Sequence, residues 1–303
     1  LLSAARQSAK TGTKAFFPPR PFGCGCAALS QCAAQKSHRI ESTEISRVRP
    51  VKFQGNAQER LSAQTGSSKL LRMVQAVIVA AGLGKRMGNP GGDKLFLPVA
   101  GRPLIAHTWD RFERAGCIDS MVFVVREGAQ HRFAELATRF GFRKPYRMVV
   151  GGRERQDSVW NGIEALESSC EIVAIHDGAR AAVDVELICE TVEAARACGA
   201  AVAAQKMVDT VKLSEDGVWI AQHLDRSKFW TVQTPQTFQV EVIRRALGEV
   251  RKQGLTVTDD TAACALIGQA VRLVESKRPN PKLTTPTDLA YLEVLLQNCR
   301  TEQ

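Results

Sequence analysis

The sequence predicts an α/β protein built on a doubly wound, mostly parallel sheet. Short β-branched runs alternate with amphipathic stretches of helical period from Met73 onward, and glycine-rich turns follow several of the runs. Strands that alternate with helices of this length imply βαβ units and a sheet covered on both faces. With 303 residues, 44% hydrophobic and 24% charged, the chain can bury a full core.

The predicted strands are residues 75–80, 121–125, 146–150, 172–175 and 200–204. Helices are predicted between them at 103–115, 130–140, 157–166 and 185–198. The alternation breaks after Gln205. Residues 210–213 and 218–223 flank Ser214-Glu215-Asp216-Gly217, which reads as a β-hairpin turned at Asp-Gly. A hairpin inserted in a parallel-sheet domain projects from it, and a two-stranded ribbon is marginal unless it packs on something. The reading is therefore a dimerisation arm over about 207–228, with a solvent-exposed decoration as the alternative. Helices at 240–253 and 259–267, a strand at 270–274 and a last helix at 287–297 complete the expected catalytic domain, 73–303.

The net charge of +10 is unevenly spread. Residues 1–70 hold 11 Lys/Arg and 3 Asp/Glu, against 30 and 28 in the remainder. The body of the protein is thus near neutral, and a general nucleic-acid surface is not supported. Residues 1–72 are rich in Ser, Ala, Gln and Arg and lack apolar periodicity, so a disordered basic extension is expected. Met73 stands immediately before the first strand, which favours an extension ahead of a bacterial-type start and a cytoplasmic protein. A transit peptide, and with it a plastid stroma, is the alternative. No apolar run approaches the roughly 20 residues of a membrane span. Of nine cysteines, Cys24, Cys26 and Cys32 lack a second ligand cluster for zinc. Cys117, Cys170, Cys189, Cys198, Cys264 and Cys299 read as small hydrophobes in a reducing compartment.

The chemistry is concentrated just after the strands, where open α/β sheets bind ligands. After the first strand comes AAGLGKRMG, residues 80–88, with Lys94 following; backbone N–H groups and cations there make a phosphate cradle. The dinucleotide fingerprint would need glycine at Met87, and the P-loop would need Gly-Lys-Ser/Thr, so neither applies. After the third strand, Gly151 to Ser158 is a second glycine-rich segment, with Ser158 at the head of a helix. After the fourth comes His176-Asp177-Gly178-Ala179-Arg180. Asp177 is the natural Mg²⁺ ligand, because Mg²⁺ takes one or two carboxylates and fills its other positions with water and phosphate; a helix cap or a pair with Arg180 is the structural alternative. Lys94 and Arg86 would neutralise a phosphate during displacement. His176 reads as a structural neighbour of Asp177. A strong general base is missing, which suits phosphoryl or nucleotidyl transfer to an ionised phosphate.

Taken together, AAGLGKRMG with DKLFLPVAGRPL, GGRERQDSVWNGI, HDGAR, LDRSKFWTVQTPQTF, VTDDTAA and KLTTPTDL resemble the 2-C-methyl-D-erythritol 4-phosphate cytidylyltransferase family across the whole stretch from Met73. The resemblance implies a Rossmann-like nucleotidyltransferase using CTP and a divalent cation, Mg²⁺, held at Asp177. It implies that Ala80, Ala81, Gly82 and Gly84 wrap CTP with Arg155, that Gly152 and Ser158 recognise cytosine, and that Arg86, Lys94 and Lys282 are catalytic. Asp177, Arg226, Thr234, Thr258 and Lys282 would bind methylerythritol phosphate, with Arg226 contributed across a homodimer. A cytidylyltransferase for another polyol phosphate, such as ribitol 5-phosphate, and a catalytically silent nucleotide-binding protein are the rival readings. The chain departs from the family pattern at Ala181, commonly proline, and at Pro281, usually aliphatic.

Overall fold

The computed structural model describes residues 73–82, 84 and 93–301. The expected basic extension, Arg86 and most of the first glycine loop lie outside the described residues. Seven strands form the central sheet: β1 (Met73–Val79), β4 (Ser120–Val125), β5 (Tyr146–Val150), β6 (Cys170–Asp177), β7 (Ala200–Lys206), β10 (Trp230–Gln239) and β11 (Arg272–Glu275). Their order is β11-β7-β10-β6-β1-β4-β5. All pair in parallel except β10, which runs antiparallel to both β6 and β7. Apart from the sheet, β2 (Pro98–Val99) and β3 (Arg102–Pro103) form a two-residue antiparallel ribbon ahead of the first helix.

Side chains alternate across this sheet, which is why its strands read as continuously apolar. Ala76 and Ile78 of β1 pack with α1 (Leu104–Arg114), α2 (Gln130–Phe140), α4 (Val185–Cys198) and α7 (Thr287–Thr301). Val77, between them, faces α3 (Arg155–Glu164), α5 (Val240–Lys252) and α6 (Asp260–Leu266). A parallel strand buried on both faces has no solvent side to mark with polar residues. On the α1 side Trp109 lies 4.2 Å from Phe123, 4.7 Å from Phe142 and 4.9 Å from Tyr146, ring centroid to ring centroid. The expected elements around this core appear within a few residues of their predicted ends.

Three expectations are corrected. No strand is predicted between the hairpin and the helix at 240–253, yet the segment Gln233 to Gln236 lies inside β10 at the middle of the sheet. It is polar yet buried, because its side chains find partners: Thr237 Oγ1 donates to Thr191 Oγ1 (3.0 Å), Gln236 Nε2 to Asp259 Oδ2 (3.0 Å) and Gln233 Nε2 to Gln205 Oε1 (2.8 Å). The ladder to β7 is interrupted between Val232 and Gln236, the stretch that includes Pro235, which has no N–H to give.

The hairpin is shorter than expected. Only β8 (Lys212–Leu213) and β9 (Gln222–His223) pair. Residues 218–220 are not strand, because Asp216 Oδ1 accepts from the backbone N–H of Val218 (2.8 Å) and Trp219 (2.9 Å) and turns the chain there. Val218 and Trp219 at this tip are 75% and 76% exposed.

Cys117 and Cys189 are not separate thiols but form a disulfide, Cα atoms 5.6 Å apart. It joins the turn after α1 to α4 across 72 residues of sequence. Cys170 and Cys264 are buried free thiols, as expected of small hydrophobes. No described helix is long and apolar enough to cross a membrane. Cross-linking a loop of this length removes entropy from the unfolded chain. Replacing Cys117 with Ser should therefore cost about 2–4 kcal/mol of stability. Urea unfolding with and without reductant checks this: only the native chain should lose stability on reduction, and coincident midpoints would contradict it.

Candidate active site

The strand order reverses at β1. The chain runs from β1 out through β4 to β5, and then places β6 on the other side of β1. At such a switch point the connections diverge and leave a crevice beyond the strands' carboxyl ends. Backbone hydrogen bonds stitch its rim together: Ala80 N–H donates to Val124 O (2.8 Å), Gly151 N–H to Val125 O (2.9 Å) and Gly178 N–H to Val79 O (2.9 Å). The crevice is a cavity of about 680 Å³.

Most of the residues singled out from the sequence meet there. Ala80, Ala81, Gly82, Gly84, Lys94, Gly152, Arg155, Ser158, Asp177 and Lys282 all line the cavity. Gly84 has φ +61°, and a Cβ built on it would crowd the Lys94 side chain at 3.3 Å. The glycine at 151 lets the two loops touch, because a Cβ there would overlap the Cβ of Ala81 and stand 2.9 Å from Ser158 Oγ. Ser158 lies one turn inside α3 rather than at its head. Its hydroxyl donates to Glu154 O (3.2 Å) and accepts from Gly152 N–H (3.0 Å), so it braces the second glycine turn.

Four charges alternate in a line behind this wall. Arg155 forks onto Asp260, Nη1 to Oδ1 and Nη2 to Oδ2, both 3.0 Å, while its Nε donates to Asp177 Oδ1 (3.2 Å). Lys282 Nζ donates to Asp177 Oδ2 (2.7 Å). Burial alone would raise the Asp177 pKa, but Arg155 and Lys282 outweigh it and hold the carboxyl well below the usual range. Burial likewise pushes the Asp260 carboxyl up, and the Arg155 fork opposes it. Pro281 has not diverted Lys282 from Asp177. Ala181, too, is fully buried. Asp177 is bound to Arg155 and Lys282 rather than to Arg180, whose Nη1 donates to Asn280 O (2.6 Å). The expected catalytic lysine Lys94 donates from Nζ to Leu283 O (2.7 Å), beside Lys282.

His176 is structural. Its ring is fully buried between Thr234 Oγ1 (Nδ1, 3.0 Å) and Arg180 O (Nε2, 3.1 Å). Thr234 Oγ1 in turn accepts from Asp177 N–H (3.1 Å). These contacts assign Nε2 as the protonated nitrogen and Thr234 as the donor to Nδ1. Thr234 thereby fixes the end of β6. The expected acceptor residues Thr234, Thr258 and Arg226 do not line the cavity. Thr258 is exposed just before the Asp259 cap of α6, and Arg226 is exposed beyond the hairpin, its Nη1 donating to Val208 O (2.5 Å).

The sequence reading missed Asp260. The acid pair in VTDD was its signal: Asp259 caps α6 by accepting from Ala262 N–H (2.9 Å), which leaves the second carboxylate, fully buried, without a helix-capping task. Arg126, Arg153 and Thr284 also line the cavity and were not singled out.

A glycine-walled cavity at the switch point of a doubly wound sheet, with an ionised carboxylate held between cations, is the architecture of a nucleotide-binding α/β protein and fits a nucleotidyltransferase. The comparisons narrow that class. The 2-C-methyl-D-erythritol 4-phosphate cytidylyltransferase family profile matches residues 74–298. An enzyme of that name from Geobacillus kaustophilus (strain HTA426) is 42% identical over 228 residues, which is 75% of this chain and 99% of the relative. The crystal structure of 4-diphosphocytidyl-2C-methyl-D-erythritol synthase from Anaerococcus prevotii DSM 20548 is similar at TM-score 0.67 and 28% identity, covering 75% of this chain and 96% of that one. The 2-C-methyl-D-erythritol 4-phosphate cytidylyltransferase of Thermus thermophilus is similar at TM-score 0.60 and 31% identity, covering 74% and 99%. The chain belongs to the 2-C-methyl-D-erythritol 4-phosphate cytidylyltransferase family, whose members are CTP-dependent nucleotidyltransferases.

The buried ring predicts an acid limb of stability. Burial lowers the His176 pKa from 6.5 to about 4 in the folded protein, while the unfolded chain takes up the proton near the ordinary value. The contribution is therefore complete above pH 6.5 and is lost as pH falls toward 4, about 3 kcal/mol in all. Denaturant unfolding should show lower stability at pH 4.5 than at pH 7, with a shallower fall in His176→Gln. A flat wild-type profile would contradict a neutral buried ring.

Proposed function

We propose that this chain's cavity transfers the cytidylyl group of CTP to 2-C-methyl-D-erythritol 4-phosphate, giving 4-diphosphocytidyl-2-C-methyl-D-erythritol and pyrophosphate for isoprenoid precursor synthesis. The observation that carries this reading is the convergence of Lys94, Lys282 and Asp177 on one cavity walled by both glycine segments. A phosphate oxygen of the acceptor forms the new bond to the α-phosphorus, and the α–β bridging bond breaks to release pyrophosphate. Both the attacking and the leaving groups are anions, so the residues act by position and charge. In this reading Lys94, with Arg86, neutralises the reacting phosphate, and Lys282, on the same cavity wall, receives the acceptor phosphate.

A divalent cation would find one ligand in the Asp177 carboxylate on the cavity wall, each of whose oxygens accepts from Arg155 or Lys282 and keeps a further lone pair. No group of three acidic, histidine or cysteine side chains gathers among the described residues. Asp177, ionised and on the cavity wall, suits Mg²⁺, which draws its other ligands from water and phosphate. Bound there, the cation would screen triphosphate charge and orient the α-phosphate. A cytoplasmic location is part of this reading.

The arm is read as the contact between two copies. Its tip exposes Val218 and Trp219, and Arg226 at its base lies outside the cavity of its own protomer. In the dimer, Arg226 of each copy completes the acceptor subsite of the other.

Pyrophosphate release from CTP tests the reaction. It should depend on methylerythritol phosphate and be weak with ribitol 5-phosphate; the reverse preference would make this a different polyol phosphate enzyme, and no release with any acceptor would make it catalytically silent. Lys94→Ala and Lys282→Ala should each lower kcat by about 10²–10³, as removal of a preorganised donor does. Near-native turnover of folded Lys94→Ala would refute its role. For the shared site, inactive Lys94→Ala and Arg226→Ala proteins unfolded and refolded together should recover about a quarter of native activity, one intact site per mixed dimer. No recovery would place Arg226 in its own protomer's site, and an active Arg226→Ala protein would place it outside the reaction.

A further inference from the structure

Lys94 begins a three-residue 3₁₀ turn, Lys94–Phe96, at the edge of the first glycine loop. The turn is closed by Phe96 N–H to Asp93 O (2.9 Å) and Leu97 N–H to Lys94 O (3.3 Å), and Lys94 Nζ donates to Leu283 O (2.7 Å), which leaves the backbone of a single short turn to be fixed by its cap. The residue before it supplies the hold. Asp93 caps the turn, Oδ1 accepting from Leu95 N–H (3.1 Å), and its other oxygen, Oδ2, pairs with Arg126 Nη2 at 2.5 Å. The Asp93 side chain is only 4% exposed, so solvent does little to weaken this pair.

Arg126 has a rigid base. It is the first residue after β4, whose last two carbonyls are taken by the glycine loops on either side, Val124 O by Ala80 and Val125 O by Gly151. The ion pair thus ties the turn that carries Lys94 to the frame that sets the nucleotide cradle. Arg126 also lines the cavity, which leaves two possible duties: to contact the triphosphate itself or to act through Asp93. The short contact to a buried carboxylate, which already spends its other oxygen on the turn, favours the second.

We propose that Arg126 is a positioning residue for nucleotidyl transfer, fixing Lys94 over the reacting phosphate through Asp93. This rests on the reading of Lys94 as the transition-state cation. A lysine placed by a floppy turn still meets bound CTP, but spends less time in the productive geometry, so the loss falls on kcat and not on nucleotide binding.

The test is steady-state kinetics on the full chain with Arg126→Ala, Arg126→Lys, Asp93→Asn and the Arg126→Ala/Asp93→Asn double variant. Asp93→Asn keeps a capping oxygen and replaces the oxygen that meets Arg126 with an NH₂ donor, so it breaks the pair and spares the cap. Arg126→Ala and Asp93→Asn should each reduce kcat by about 10–100-fold with the KM for CTP changed less than about 3-fold, and the double variant should be no worse than the worse single. Arg126→Lys, which keeps a cation, should recover most of the loss. An unchanged kcat, a rise in the KM for CTP alone, or a double variant whose loss is the product of the singles would overturn the proposal, the last two in favour of direct triphosphate contact. Should Arg126→Ala fail to fold, Asp93→Asn and Arg126→Lys carry the same comparison. Lys94→Ala run alongside separates the two readings. If it keeps its turnover, the role of Lys94 has failed; if it is inactive while the Arg126 and Asp93 variants are native-like, only the positioning role has.

Discussion

A carboxylate stays ionised inside a protein only where cations answer it, and Asp177 is answered twice. Arg155 and Lys282 reach opposite oxygens of its carboxylate, and Arg155 is itself locked by the buried Asp260. This alternating line spans four separate parts of the chain: the head of α3, the end of β6, the start of α6 and the segment before α7. Each would carry an uncompensated charge if the others moved. The cavity's far wall is held in place for that reason.

The antiparallel strand β10 supports the same line from behind. It lies between β6 and β7, and Thr234 in its interrupted stretch accepts from the Asp177 backbone while donating to His176. Gln236 on the same strand receives Asp260 N–H (3.0 Å) and donates to Asp259. A strand of glutamines and threonines is costly to bury unless every group is paired. Here those pairs hold the acidic residues, so the polar strand is an extension of the site into the sheet. The placement of Thr234 follows: its hydroxyl proton goes to His176 and leaves it no proton for a substrate phosphate.

Charge complementarity continues at the near wall. Asp93 and Arg126 repeat on a smaller scale the pairing of Asp260 with Arg155, here tying the residue after β4 to the turn that carries Lys94. In the larger pair the planar fork of Arg155 holds Asp260 and still reaches Asp177. Elsewhere the fold is tied by packing, by the Trp109 aromatic cluster and by the Cys117–Cys189 bond.

Much of the fold was legible along the chain because local rules govern it. The apolar runs and the helical periods between them mark a parallel sheet, and α2 and α4 begin and end where the periodicity says. Glycine after a strand with lysine nearby marks an anion site, since only backbone without side chains lets a phosphate approach so closely. What escaped a linear reading needed distance information. β10 carries no apolar pattern because its burial is balanced by partners 23 to 46 residues away. The disulfide joins two cysteines indistinguishable in sequence from the free ones, and Asp260 and Arg126 matter through partners 105 and 33 positions distant. The amino-acid order alone settled the fold class and the family, because the strand and helix patterns and the motifs between them depend on neighbours within a turn or a strand. Which charges face one another, and so which carboxylate is buried, paired and aimed, was settled only by the packed sheet, because Coulomb interactions depend on separation in space and not along the chain.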